Sequence, residues 1–399
     1  LLLRKMILKY TAKTSVGEVK MQYRQMGKTN EKVSVLGFGC MRFQVKDGKN
    51  DQIDEEKAIS QLRMAIDNGV NYIDTAYPYH GGNSETVVGK ALENGYREKV
   101  KLATKLPSWL IKSREDMDKY LDEQLAKLQT QYIDFYLIHA LRKEFWENLK
   151  KNYIFDFIEK ALKSGKIKHI GFSFHDEYDV FKEITDSYDW DFCQIQFNFM
   201  DTEYQAGLKG LRYAAEKGMG VVIMEPLRGG SLVNKVPPQA LEIYKNSGYS
   251  RTPAEWALRY IWDYKEVSVI LSGMNEESHI IQNINTASQA LAGSLTEKEK
   301  NVIEEVKKVY LSKIKVNCTK CQYCMPCPFG VDIPGNFAMY NEYGIYDNYE
   351  DAKYTYNEMS RLKKSSALCK ECGRCEPLCP QSISIPQKLK EITKLFIGQ

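Results

Sequence analysis

The feature that most constrains this 399-residue chain is a pattern that repeats eight times between Val33 and Gly273: a short apolar run, then an amphipathic segment. The first four runs are "VSVLGFG" (33–39), "NYIDT" (71–75), "VKLATK" (100–105) and "DFYLIH" (134–139). The last four are "KHIGFS" (168–173), "FCQIQFN" (192–198), "GVVIME" (220–225) and "VSVILSG" (267–273). In the segments between them, Ala58, Ile59, Leu62, Ala65 and Ile66 share one helical face, and Met117, Leu121, Leu125 and Leu128 share another. Asn68-Gly69 and Lys217-Gly218 read as helix stops. Short apolar strands that alternate with helices pair in parallel and are covered on both faces. Eight units in about 250 residues predict an α/β fold of the closed (β/α)8 TIM-barrel type. An open doubly wound sheet would carry G-x-G-x-x-G after its first strand, and "GFGCMR" lacks the third glycine.

After the eighth unit, "SLTEKEKNVIEEVKKVYL" (294–311) reads as one more helix, with Thr296 and Glu299 spaced as a capping box. The sequence therefore divides into a lead-in (1–20), a barrel (21–311) and a small C-terminal domain (312–399). The lead-in "LLLRKMILKYTAKTSVGEVK" is broken by charge after three apolar residues, so it reads as neither a signal peptide nor a spanning helix. Met21 reads as the natural start, and a cytoplasmic protein is expected. The net charge of +4 is mild and no basic stripe is present, so neither nucleic acid nor a membrane is expected as a partner.

In a (β/α)8 barrel, chemistry gathers at the C-terminal ends of the strands. The second run ends in Asp74, with Tyr79 five residues on; the third ends in Lys105 and the fourth in His139. Singly, an Asp after a strand forms a turn, a Lys is solvated and a His packs in a core. At three consecutive strand ends they point to one site. A phenol near pKa 10 is too weak an acid to protonate a developing alkoxide at neutral pH, and a nearby ammonium lowers it. This makes Tyr79 a proton donor tuned by Lys105, with Asp74 holding the lysine and His139 orienting a substrate carbonyl. Such a set suits carbonyl reduction by a bound hydride donor.

The stretches "DTAYPYHGGNSE", "LATK", "IDFYLIH" and "HIGFSFH" resemble, in strand order, the signatures of the aldo-keto reductase superfamily, over about Tyr23 to Tyr310. The resemblance implies an oxidoreductase with the tetrad Asp74, Tyr79, Lys105 and His139, a small carbonyl or alcohol substrate, and NADP or NAD bound across the barrel mouth. It implies that Ser173 and Gln194 hold the carboxamide. "EPLRGG" (225–230), with Pro226, Leu227, Arg228 and Gly230, would wrap the pyrophosphate. "SGMNEESHIIQN" (272–283) would take the adenosine end through Gly273, Asn275, His279 and Asn283. The chain departs from the pattern after Ser173, where Phe174 and His175 replace the usual Asn. It departs again where Gly273 and His279 stand at the usual basic clamp for a 2′-phosphate, so NADP against NAD stays open, with Arg228 as a candidate substitute. Trp109, Trp146 and Phe43 fall in rim loops, either lining a substrate pocket or packing the loops.

Eight of the ten cysteines lie in two late runs, "CTKCQYCMPCP" (318–328) and "CKECGRCEPLCP" (369–380). The second, with spacing C-x2-C-x2-C-x3-C-P, fits the bacterial ferredoxin pattern; the first is one residue short before its last cysteine. Resemblance to two-cluster ferredoxins implies one 4Fe–4S cluster on Cys318, Cys321, Cys324 and Cys379, and a second on Cys369, Cys372, Cys375 and Cys327. Structural zinc on four thiols is the alternative. Cys193 reads as strand packing, and Cys40 has no evident partner. The domain either transfers electrons, with a ferredoxin or flavoprotein as partner, or caps the barrel and docks such a partner. A nicotinamide moves electrons in pairs and a cluster moves one, so exchange between them calls for a flavin, which could occupy the barrel mouth. A cluster scaffold whose barrel binds nucleotide or flavin without carbonyl turnover is the alternative function.

Overall fold

The computed structural model describes residues 20–234 and 236–398, so the lead-in, apart from Lys20, lies outside the described residues. A hairpin of β1 (Tyr23–Gln25) and β2 (Lys32–Ser34) precedes eight parallel strands: β3 (Leu36–Gly39), β4 (Tyr72–Asp74), β5 (Lys101–Leu106), β6 (Ile133–Leu141), β7 (Ile167–Phe174), β8 (Phe192–Gln196), β9 (Gly220–Met224) and β10 (Val267–Ser272). They close in sequence order, with β10 paired to β3, as the eightfold alternation predicts.

The first apolar run is split. Residues 32–34 belong to the hairpin and 36–39 to the barrel, with a bend at Val35. Ser34 accounts for the break: its hydroxyl donates to the Leu36 carbonyl at 2.6 Å, a local bond that competes with the ladder. The hairpin lies against the end of the barrel away from the strand C-termini, where the Arg24 guanidinium donates to the carbonyls of Trp262, Tyr264 and Val267 at 2.7–2.9 Å.

Strand periodicity decides what the barrel mouth receives. Tyr72, Ala103, Phe135, Leu137, Phe192 and Val222 form one buried cluster filling the barrel, together with Met26 from the hairpin. Two residues further along the same strands, on the same inward face, come Asp74, Lys105, His139, Gln194 and Met224. The alternate residues, such as Ile73, Ile138 and Cys193, pack into the larger core between strands and helices.

The helices follow the sequence signals. The helix Glu55–Asp67 is capped by Asp54 and buries Ala58, Leu62, Ala65 and Ile66. Its stop at Gly69 has a φ of 92°, a conformation glycine adopts without strain. Thr296 and Glu299 form the expected reciprocal capping box on the helix Glu297–Lys313. No helix among the described residues is long and apolar enough to cross a membrane.

Beyond Lys313 the chain forms the helices Ile333–Tyr346, Tyr349–Arg361 and Ile385–Ile397, joined through the two cysteine loops, with no strand among the described residues. Their core comprises Val331, Phe337, Met339, Tyr356, Leu389, Ile392 and Phe396, with Cys379 buried in it. This unit sits on the barrel mouth. Gln381 and Gln196 pair their buried amides, Nε2 of Gln381 donating to Oε1 of Gln196 at 2.6 Å. Arg42 donates to the Thr319 carbonyl at 3.1 Å, Arg228 to Asn317, Gln205 to the Pro380 carbonyl and Arg142 to the Pro377 carbonyl. Gly229, at a φ of 66°, lies so close that a Cβ there would stand 2.1 Å from the Thr319 carbonyl oxygen.

Candidate functional site

The barrel mouth brings Asp74, Tyr79, Lys105 and His139 together. Lys105, wholly buried at the end of β5, donates to Asp74 Oδ1 at 2.6 Å, to the Thr75 carbonyl at 2.7 Å and to the Tyr79 hydroxyl at 3.5 Å. The Tyr79 and His139 rings stand edge to face, 6.0 Å between centroids. Tyr79 is set by the turn after β4, where His80 has a φ of 54°, and His80 is held from both ring nitrogens. Nδ1 lies 2.8 Å from the Asn50 carbonyl, and Nε2 accepts from the Phe43 backbone N–H at 3.2 Å. Nδ1 therefore carries the proton, since a backbone N–H can only donate.

The lysine strand is braced from outside by a buried polar group that sequence reading missed. Glu85 Oε1 accepts from Thr104 and from Gln124, both at 2.6 Å, and Gln124 also donates to the Lys105 carbonyl at 3.0 Å. No periodicity marks these residues, because each is an ordinary helix or strand residue until the helices dock.

Electrostatics correct one expectation. Burial, with Asp74, Cys40 and Glu225 adding to it, pushes the Tyr79 phenol well above its ordinary value, so Lys105 does not leave a lowered pKa in this state. The resting phenol is protonated. Burial also raises Asp74 against the pull of Lys105. Burial, aided by Lys105 and His175, holds His139 well below the usual histidine range, so its imidazole is neutral.

A cavity of about 450 Å³ opens above these residues. Ser173, Gln194, Pro226, Leu227, Gly230, Gly273, Asn275, His279 and Asn283 all line it, alongside Asp74, Tyr79 and His139. Arg228 does not. It is buried, paired with Asp201 at 3.1 Å and bonded to Asn317, so its role as a 2′-phosphate reader is corrected to that of a domain-seam cation. Among the described residues that line the cavity the single Lys or Arg is Arg42, whose Nη2 lies 3.0 Å from where a Gly229 Cβ would stand. It was missed because the first rim loop carries no basic pattern.

Several buried polar atoms at the mouth have no protein partner: Gln194 Oε1, His139 Nδ1 and Glu225 Oε2. Unpaired buried acceptors mark places where a ligand donor is expected. Gln194 Oε1, next to Ser173 on the neighbouring strand, fits the amino group of a nicotinamide carboxamide. Glu225 is half-buried, and burial of its carboxyl pushes it up to about 7.

The rim aromatics divide. Trp109 stands 5.1 Å from the His139 ring, at the site. Phe43 stacks on His80 in its loop, and Trp146, on the helix Lys143–Lys151 rather than in a loop, packs on Trp190 and Phe155 in the core, so neither lines the cavity. His175 joins the cavity because it shares the inward face with Ser173, whereas Phe174 packs outward on Phe172 and Phe181.

The cysteines fall into two groups. Cys318, Cys321, Cys324 and Cys379 line one cavity, together with Ile333, Phe337, Ile383 and Ile385. Cys327 lies within electrostatic reach of Cys369, which also feels Cys372; Cys375 in turn feels Cys369 and Cys372. Burial raises the thiols of the first group, so a positive centre is what would hold them as thiolates. Among the described residues, no three His, Cys, Asp or Glu side chains gather around a single-ion position. Cys40 and Cys193 are buried in the barrel, away from both groups. Cys321 and the neighbouring Tyr323 also line the tetrad cavity, a juxtaposition that no sequence spacing announces.

Comparison with known proteins agrees with this division. Residues 35–308 match the model of the aldo/keto reductase family, and residues 317–384 match a 4Fe–4S dicluster domain. A "Probable aldo-keto reductase 1" from Glycine max is 28% identical over 322 residues, covering 72% of this chain and 89% of its own length. An "L-galactose dehydrogenase" from Arabidopsis thaliana is 28% identical over 295 residues, covering 68% and 89%. The holo structure of aldo-keto reductase AKR11C1 from Bacillus halodurans superimposes with a TM-score of 0.59 at 26% identity, covering 72% of this chain and 96% of that one. Barrel, rim and family model converge: the chain belongs to the aldo/keto reductase family of oxidoreductases and carries a C-terminal 4Fe–4S dicluster domain.

Proposed function

We propose that the barrel interconverts a carbonyl compound and its alcohol, with Tyr79 as the proton donor. The observation that carries this reading is the Lys105 ammonium, placed between Asp74 at 2.6 Å and the Tyr79 hydroxyl at 3.5 Å. NAD(P)H held across the barrel mouth would supply the hydride. Burial keeps the Tyr79 proton on its oxygen until a substrate oxygen gains negative charge. The ammonium then stabilises the phenolate left behind, and Asp74 keeps that ammonium charged and aimed. Neutral His139 orients the carbonyl through Nε2.

For the cofactor, Ser173 and Gln194 take the carboxamide, the 225–230 turn takes the pyrophosphate, and the 272–283 segment takes the adenosine end. Arg42, beside Gly229, is the cation placed for a phosphate. Cys318, Cys321, Cys324 and Cys379 would hold one 4Fe–4S centre, and Cys327, Cys369, Cys372 and Cys375 the other, each able to move one electron at a time. Cys321 lies in the wall of the tetrad cavity. That shared chamber favours an electron-transfer role for the domain over a remote structural one.

The test is Tyr79→Phe in cluster-loaded protein. Loss of the general acid lowers kcat for aldehyde reduction by roughly 100-fold or more, while NAD(P)H affinity stays unchanged. Unchanged turnover would remove Tyr79 from the mechanism.

A further inference from the structure

Tyr323 is carried by the iron–sulfur domain yet stands in the barrel's site. Its hydroxyl lies 3.5 Å from His139 Nε2, and its side chain lines the tetrad cavity. Tyr79, Cys321, Glu225 and Asp74 are all within electrostatic reach of it. A substrate oxygen that takes the Tyr79 proton and is oriented by His139 must lie between those two groups. The Tyr323 hydroxyl stands at the His139 end of that position.

The loop that carries Tyr323 is anchored at its start, where the Thr319 carbonyl accepts from Arg42 and lies against Gly229. Tyr323 is therefore a ceiling rather than a swinging lid. The space is shared: the cavity of about 450 Å³ runs from the tetrad to the 272–283 segment, so a dinucleotide and the substrate both draw on it.

We propose that Tyr323 is a specificity-determining residue. Through it the iron–sulfur domain sets the ceiling of the substrate site and restricts the barrel to compact carbonyl compounds. The proposal rests on the carbonyl reading given above.

The test uses the full chain with matched iron content in four forms: wild type, Tyr323→Phe, Tyr323→Ala and Tyr323→Val. Acetaldehyde and cyclohexanecarbaldehyde serve as the compact and bulky probes. Two readouts are taken: kcat/KM with NAD(P)H, and quenching of tryptophan fluorescence, to which Trp109 beside His139 responds. The wild type prefers acetaldehyde. Tyr323→Ala and Tyr323→Val shift the ratio toward the bulky aldehyde by about tenfold or more, the scale on which pocket volume discriminates. The shift falls mainly in KM. Tyr323→Phe keeps the ring and so keeps the wild-type ratio. An unchanged ratio in both small variants, or a ratio already lost in Tyr323→Phe, overturns the proposal. If no form turns over either aldehyde while the small variants still admit the bulky one by fluorescence, the carbonyl reading fails and the ceiling stands.

Discussion

Lys105→Met isolates the electrostatics of the site. The methionine keeps much of the side-chain length but removes the ammonium and its bonds to Asp74, Thr75 and Tyr79. Lys105 and Asp74 are 0% and 2% exposed, so the partner left behind is a carboxyl out of reach of water. Breaking a buried pair from one side costs about 3–5 kcal/mol. For a barrel of this size that is a fall in Tm of roughly 5–10 °C. The pH dependence follows from the Asp74 carboxyl, which burial already raises above its ordinary value while Lys105 pulls it down. Without the ammonium its folded pKa rises further. The unfolded chain then releases the proton first, and the variant's stability falls as pH rises above the ordinary carboxyl value and through the raised one. The deficit relative to wild type is therefore smaller at pH 5.5 than at pH 8. Adding Asp74→Asn to Lys105→Met removes the pH slope and recovers part of the loss. Urea unfolding of the three proteins at both pH values is the assay. An equal deficit at the two pH values, with no recovery in the double variant, would refute the reasoning.

Two further predictions concern the domain seam and the cysteines. Gly229→Ala places a Cβ 2.1 Å from the Thr319 carbonyl oxygen at a φ of 66°, so it destabilises docking of the iron–sulfur domain by more than about 1 kcal/mol and speeds proteolysis after Lys313; unchanged cleavage would count against a rigid seam. In anaerobically purified protein, Cys379→Ser and Cys321→Ser deplete the same roughly four irons of about eight, whereas Cys372→Ser depletes the other set and Cys193→Ser depletes none. Loss of one common spectroscopic species in Cys379→Ser and Cys372→Ser would contradict the crossed ligand sets.

What was legible in the sequence was what local pattern controls. The eight strands announced themselves by apolar runs, and strand period carried Asp74, Lys105, His139, Ser173 and Gln194 to one rim. The cysteine runs were legible because cluster ligation is itself a spacing. What failed depended on docking. Arg228 lies in the expected turn, but its side chain is drawn to Asp201 and Asn317 once the second domain arrives. Phe43 sits in a rim loop yet turns into packing, and Trp146 lies not in a loop but on the helix Lys143–Lys151, facing the core. Arg42 reaches the cavity from a rim loop with no basic pattern, Glu225 from the turn read for pyrophosphate and Tyr323 from between two cluster cysteines; no spacing in the sequence announces that the three meet. The raised Tyr79 phenol was missed for a related reason: the neighbouring ammonium was visible in the sequence pattern, and the depth of burial was not.

Hydride transfer is tested most directly by isotope tracing. NAD(P)H deuterated at the transferred C4 position is supplied to the cluster-loaded protein with an aldehyde in ordinary water, and the alcohol is analysed by mass spectrometry. Direct transfer at the Tyr79 site places one deuterium on the carbinol carbon of every product molecule, and Tyr79→Phe slows its appearance without diluting it. Alcohol formed with hydrogen from solvent at that carbon would contradict direct hydride transfer from the nicotinamide.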